Sequence, residues 1–196
     1  MRTETRTYEI YPLNELSGEA QEKAYRQWME NFEYPWGKEN RDTLKAFEKV
    51  FKIEVERWSY DTCTYTYRFT SHYSEEEDNL KGVRLLKYLV NNYWDVPYIP
   101  KINWKHSYDK RRRSRIFVTD CCVLTGYCFD HNILNPIYDF LKSPDNTTLY
   151  ELMDNCLDSF FKACMDDAEY MISMEAFADE CEANEYEFLS DGTLFN

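Results

Sequence analysis

Two groups of side chains in this chain have the types and the closeness that chemistry asks for. Asp166 and Asp167 are adjacent carboxylates, the kind of pair that binds Mg2+ or moves protons during phosphoester hydrolysis. Cys121, Cys122 and Cys128, with His131 just beyond, are the residue types that hold zinc. A zinc site is usually written as paired Cys-x2-4-Cys or His-x3-5-His steps. Here only Cys128 and His131 have a comparable gap, and no second pair faces them. Among 36 carboxylates, adjacent acids also arise by chance. His72 and His106 stand alone in polar surroundings, as surface histidines do.

Other catalytic patterns are missing from the sequence. Phosphate-cradling loops need clustered glycines, and this chain has five in all. It contains neither a G-x-S-x-G elbow nor an H-E-x-x-H helix. The expectation is a non-enzymatic protein with no catalytic residues, no cofactor and no metal. A small metal-dependent hydrolase acting on RNA or nucleotides is the alternative from the enzyme class.

Charge is the stronger signal. Glu151 to Asn196 carry thirteen carboxylates and one cation, Lys162, for a net −12 in a chain whose total is −13. Lys101 to Arg115 lean the other way, with seven Lys/Arg and one acid, Asp109, for +6. Acids four apart on one helix repel by a few tenths of a kcal/mol, so folding gains nothing from them. One reading is a solvated, solubilising face. The other is a binding face that imitates the charge of nucleic acid, since duplex DNA carries one negative charge per roughly 1.7 Å of axis.

The residues assigned to this acidic face are Asp154, Asp158, Asp166, Asp167, Glu169, Asp179, Glu180 and Glu182. Lys110, Arg111, Arg112, Arg113 and Arg115 form a second candidate contact, with RNA, DNA, an acidic partner or the chain's own acidic tail. The overall pI of about 4.7 argues against free DNA as the primary partner. A protein or ribonucleoprotein with a cationic groove is the expected partner.

Composition bounds the rest. With 196 residues, 43% of them hydrophobic, and 17 Tyr, 12 Phe and 5 Trp, the chain has the apolar area for a folded core. One compact α+β domain over 1–196 is expected, with 1–100 and 101–196 as its lobes if it divides. Neither a signal peptide nor an apolar run of membrane-spanning length is visible, so the cytosol is expected, and the seven cysteines read as thiols in a reducing compartment.

Periodicity predicts the elements. Thr3–Tyr11 alternates as a strand ended by Pro12. Ser17 caps a helix carrying Ala20, Ala24, Tyr25, Trp28, Met29 and Phe32 at helical spacing. A helix follows Asp42, and then a hairpin of 52–58 and 62–70 turns at Ser59–Asp61. Glu75–Asp78 opens a helix burying Leu80, Val83, Leu86, Leu89 and Val90. After an irregular aromatic stretch and a short strand, Arg115 to Val118, Asp130 caps a helix carrying Ile133, Ile137, Phe140 and Leu141. Thr148-x-x-Glu151 is a capping box for a helix reaching about Ser173, and a short one lies near 175–183. Asp191-Gly192 between alternating residues marks a C-terminal hairpin. The class is α+β, helices packed on a small, mostly antiparallel sheet.

Three segments carry a resemblance. They are Leu16-Ser17-Gly18-Glu19-Ala20-Gln21-Glu22-Lys23-Ala24, then Leu124-Thr125-Gly126-Tyr127-Cys128-Phe129-Asp130, and Ala183-Asn184-Glu185-Tyr186-Glu187-Phe188 followed by Asp191-Gly192-Thr193. They resemble a family of small phage and prophage proteins often labelled as antitoxins of toxin–antitoxin stability systems. These segments are helix starts and a hairpin, so the resemblance bears on fold, and no catalytic residues come with it. It implies a phage setting, in which small acidic proteins inhibit host defence, as anti-CRISPR proteins and restriction-blocking DNA mimics do. A Cas9-type nuclease is then the leading partner and a basic toxin the alternative.

The expected outcome in nuclease and nucleotidase assays with Mg2+, Mn2+ or Zn2+ is no turnover. Robust cleavage that disappears in an Asp166→Ala, Asp167→Ala double variant would establish the hydrolase alternative instead.

Overall fold

The computed structural model describes residues 1–93, 122–127 and 129–195. Helices with small antiparallel two-stranded sheets make it an α+β protein, as expected. Its contacts divide the chain into two units. The terminal unit combines Met1–Pro35 with Asp167–Asn196, and the central unit is Trp36–Asp166. The division therefore groups the two chain ends and does not follow lobes of 1–100 and 101–196.

In the terminal unit, strand β1 (Ile10–Pro12) leads through a 3-10 turn (Leu13–Glu15) into helix α1 (Gly18–Met29). Ser17 caps α1 as expected, its Oγ accepting from Ala20 N at 3.3 Å. Strand β4 (Glu187–Leu189) pairs antiparallel with β1, Tyr11 opposite Phe188. Because β4 is three residues long, only the end of the expected 3–11 strand finds backbone partners, and Pro12 lies within β1. An edge strand tolerates its missing N–H. Helix α7 (Met174–Ala183) is capped by Ser173, whose Oγ accepts from Ala176 N at 3.1 Å. Leu16, Ala20, Ala24, Phe177, Cys181 and Phe188 form this unit's core.

In the central unit, helix α2 (Gly37–Phe51) starts five residues before the expected Asp42. Strands β2 (Ile53–Tyr60) and β3 (Tyr65–Ser71) form the expected hairpin, with an irregularity in register between Val55 and Arg57. The turn sits later than expected, because Asp61 Oδ1 holds the N–H groups of Cys63 (2.7 Å) and Thr64 (2.8 Å). Helix α3 (Glu75–Asp78) stops after one turn, and helix α4 (Gly82–Tyr93) begins afresh at Gly82, whose φ is +57°. The new start rotates the buried stripe to Leu85, Leu89 and Tyr93, and leaves Val83 63% exposed instead of buried. The Leu80 carbonyl accepts from Leu149 N at 2.9 Å, in place of continuing α3.

Helix α5 (Phe129–Lys142) buries Ile133, Ile137, Phe140 and Leu141 as expected. Asp130 is fully buried within its first turn and reaches backward. Its carboxylate accepts from the N–H groups of Leu124 (2.9 Å), Thr125 (2.6 Å) and Gly126 (3.0 Å) and from the hydroxyls of Thr125 (2.8 Å) and Thr43 (3.1 Å). It therefore ties α2 to the turn before α5, where a simple cap would bond forward into the helix. Pro136, inside α5, has no N–H for the Asn132 carbonyl. Ser159 Oγ donates to that carbonyl at 2.8 Å from helix α6 (Leu149–Met171). The Thr148–Glu151 capping box is formed, at 2.8 and 3.2 Å. The core gathers Phe47, Phe51, Leu85, Ile133, Leu152, Cys156 and Phe160. Burial raises the Cys156 thiol well above its ordinary pKa, so it acts as an apolar group.

Among the described residues, no helix is long and apolar enough to cross a membrane. The expected strand 115–118 and the stretch from Trp94 onward that leads to it lie outside the described residues.

Gly192 and Gly126 both have positive φ, +83° and +89°. A Cβ on Gly192 would stand 2.1 Å from the Ala20 carbonyl oxygen, whereas one on Gly126 would meet nothing within 4 Å. Gly126→Ala should therefore cost only the left-handed backbone term, about 1–2 kcal/mol. Gly192→Ala should cost that and about 1–3 kcal/mol of overpacking as well. Urea unfolding of the two variants measures the difference.

Candidate functional site

The two units divide the charge unequally. The terminal unit holds sixteen carboxylates against four cations, a net −12, and the central unit twenty against nineteen. Tertiary structure thus gathers the acids of residues 167–196 with those of the N-terminal segment. Of the eight assigned carboxylates, Asp167, Glu169, Asp179, Glu180 and Glu182 lie in the terminal unit. Asp154, Asp158 and Asp166 lie in the nearly neutral central unit.

None of the eight takes part in an ion pair among the described residues. Five are instead held by uncharged donors. Tyr34 donates to Asp167 at 2.6 Å, and Tyr170 to Asp179 at 2.9 Å. Glu180 accepts from Trp28 Nε1 at 3.1 Å and from the Tyr186 hydroxyl at 3.4 Å. In the central unit, Tyr67 donates to Asp154 at 2.9 Å and Tyr65 to Asp158 at 2.7 Å. The expected shared face of Asp154 and Asp158 is thus the face of α6 against which β3 lays its tyrosines. Asp166, Glu169 and Glu182 are exposed.

A hydrogen bond from a phenol fixes a carboxylate's position and leaves its full charge in place. The carboxylates act back on their donors. Acceptance by Asp158 is the largest cause that pushes the Tyr65 hydroxyl up to about 12, and burial followed by Asp154 raises Tyr67 further. In the terminal unit Asp179 raises Tyr170, and burial, with Glu180 beside it, raises Tyr186. Among the described residues, the cation–carboxylate contacts within the terminal unit are Lys23–Asp191 at 2.7 Å and Arg6–Glu4 at 3.3 Å. The Lys23 ammonium and the Thr193 N–H hold Asp191 down to about 2 and lock the C-terminal hairpin to α1.

The basic patch Lys110, Arg111, Arg112, Arg113 and Arg115 lies outside the described residues, as do Cys121 and Cys128 of the candidate zinc group. His131 is exposed on α5 and stacks on Tyr138 at 6.2 Å. Among the described residues, no group of three or more His, Cys, Asp or Glu side chains is arranged to hold a metal ion.

Sequence reasoning missed two features. The first is the set of aromatic donors. Its only signal was composition, 17 tyrosines in a chain with thirteen more acids than cations. The second is a groove of about 590 Å³ in the terminal unit, whose walls include Trp28, Phe32, Met171, Phe177 and Leu194 beside Glu180. Trp28 packs in this wall with Phe32 and Phe177, at 5.1 Å and 5.2 Å between ring centroids.

The phenol–carboxylate bonds set a pH dependence. Tyr65 has a raised folded pKa, so its stabilising bond is complete below about 10, its unfolded value, and is lost as pH rises through about 12. Asp158→Asn should bring the Tyr65 ionisation down toward 10. Tyrosinate absorbance in an alkaline titration of the two proteins reads that shift.

No family model, no curated protein and no solved structure matches this chain.

Proposed function

We propose that this protein is a non-enzymatic inhibitor whose terminal unit presents fixed negative charge to the cationic groove of a nucleic-acid-handling complex and blocks its access to DNA. The phage-protein resemblance supplies the setting, a host defence complex, and makes a Cas9-type effector the first partner to test. One observation carries the reading: Asp167, Asp179 and Glu180 are held in place by Tyr and Trp donors, and among the described residues no cation pairs with them. A carboxylate serving only solubility gains nothing from being held, whereas a groove-filling surface gains from charges ordered before the partner arrives. Their charge is part of the net −12 of the unit, whose field is long-ranged at low salt and steers association. The uneven division of charge favours the terminal unit as the contact.

Neutralising Asp167, Glu169, Asp179 and Glu182 together to Asn or Gln should weaken binding. Single rim charges are worth ~0.2–1 kcal/mol each, so the fourfold variant should lose about 1–4 kcal/mol, from several-fold to several hundred-fold in Kd. Affinity should fall further as salt rises. Neutralising Asp154, Asp158 and Asp166 should matter less, as should Arg111, Arg112 and Arg113 to Ala. The measurement is competition with target DNA for a Cas9-type effector, alongside a pull-down from host lysate. Full inhibition by the fourfold variant at unchanged affinity would make the acidic face a solubilising surface and end the mimicry reading.

A further inference from the structure

We infer that the groove of the terminal unit is a receptor for one arginine or lysine side chain of the partner, seated against the Trp28–Phe32 ring pair and beside the carboxylate of Glu180. The inference rests on the acidic-surface reading and adds a specific contact to it.

The walls supply the parts such a side chain needs. Met171, Phe177 and Leu194 offer apolar surface for an alkyl stem, which long cationic side chains bury while their heads stay polar. Trp28 and Phe32, both half-buried, offer aromatic faces for the cationic head. Glu180 is half-buried in the same wall. Its Oε2 accepts from Trp28 Nε1 and its Oε1 from the Tyr186 hydroxyl, so two uncharged donors orient the carboxylate. Each carboxylate oxygen can accept a further bond, and a guanidinium supplies donors in a planar fork. Glu33, exposed, also lines the groove.

Charge complementarity selects the occupant. An anionic or neutral apolar side chain entering here would meet Glu180, which among the described residues has no cation paired with it, within a unit of net −12. A cation with an apolar stem satisfies both the ring faces and the carboxylate.

The probe is a short arginine-rich peptide, titrated into isotope-labelled full-length protein at low salt. A norleucine peptide of equal length is the neutral control. The Trp28 indole N–H resonance, assigned through Trp28→Phe, should shift with the arginine peptide alone. Glu180→Gln keeps an acceptor for Trp28 and removes the charge. It should weaken the peptide by about tenfold, the worth of one charge-assisted hydrogen bond. Glu22→Gln removes the same charge from exposed α1 surface and should change affinity less than about twofold. Phe32→Leu keeps the carboxylate and loses a ring face, so it tests the groove independently if Glu180→Gln disturbs the fold. It should cost several-fold. Peptide binding that leaves the Trp28 resonance unmoved, with Glu180→Gln and Phe32→Leu no worse than Glu22→Gln, would overturn the receptor site and leave the acidic-surface reading standing. Equal binding of the norleucine peptide would make the groove an apolar site and overturn the inference. No binding of the arginine peptide at low salt would overturn both readings.

Discussion

Excess of carboxylate over cation is the constraint around which the terminal unit is organised. With sixteen acids and four cations, most of its carboxylates have no internal counter-charge to meet. A carboxylate left in water is tolerable, but one drawn against a packed surface needs donors. Tyr34, Tyr186 and Trp28 meet that need with neutral O–H and N–H groups, and Tyr170 adds a bond to the exposed Asp179. The result is a surface whose acids are placed by uncharged donors, with no ion pair to these acids among the described residues. An ion-paired surface of the same shape would present little net field.

The central unit meets the same problem with a different balance. Its acids and cations are nearly equal in number, and its most buried carboxylate, Asp130, is satisfied by five donors from the turn before α5 and from α2. That arrangement is structural: the carboxylate faces inward and joins elements. Tyr65 and Tyr67 fasten β3 to α6 through Asp158 and Asp154, so these two acids serve the hairpin's packing as well as the surface. The contrast separates acids that build the fold from acids that face outward, although the sequence spaces both alike.

Local chemistry was the part of the fold legible from sequence. Ser17, the Thr148–Glu151 box, the Asp191–Gly192 turn and the alternation of Tyr65, Tyr67 and Phe69 act within a few residues, so their effect on the backbone can be read along the chain. The α+β class followed from those elements. Errors arose where a distant partner decided the outcome. The first strand shrank to Ile10–Pro12 because β4, far away in sequence, offers three pairing residues. Helix α3 stopped because Leu80 bonds to Leu149, and Val83 became exposed as a consequence. Pro136 sits inside a helix because Ser159, on another helix, takes up the carbonyl it frees.

The same division runs through the candidate site. Sequence alone determined how much charge this protein carries and that its last quarter is acidic, because charge is additive and composition counts it. It determined nothing about which acids are neutralised, since a counter-charge or a phenol can come from any point on the chain. Only the tertiary structure joined residues 167–196 to the N-terminal segment and so concentrated a net −12 in one unit. Only it set Trp28 and Phe32 of the N-terminal segment beside Phe177 and Glu180 of α7. A groove is a property of surfaces that meet, and these residues stand about 150 positions apart in the chain.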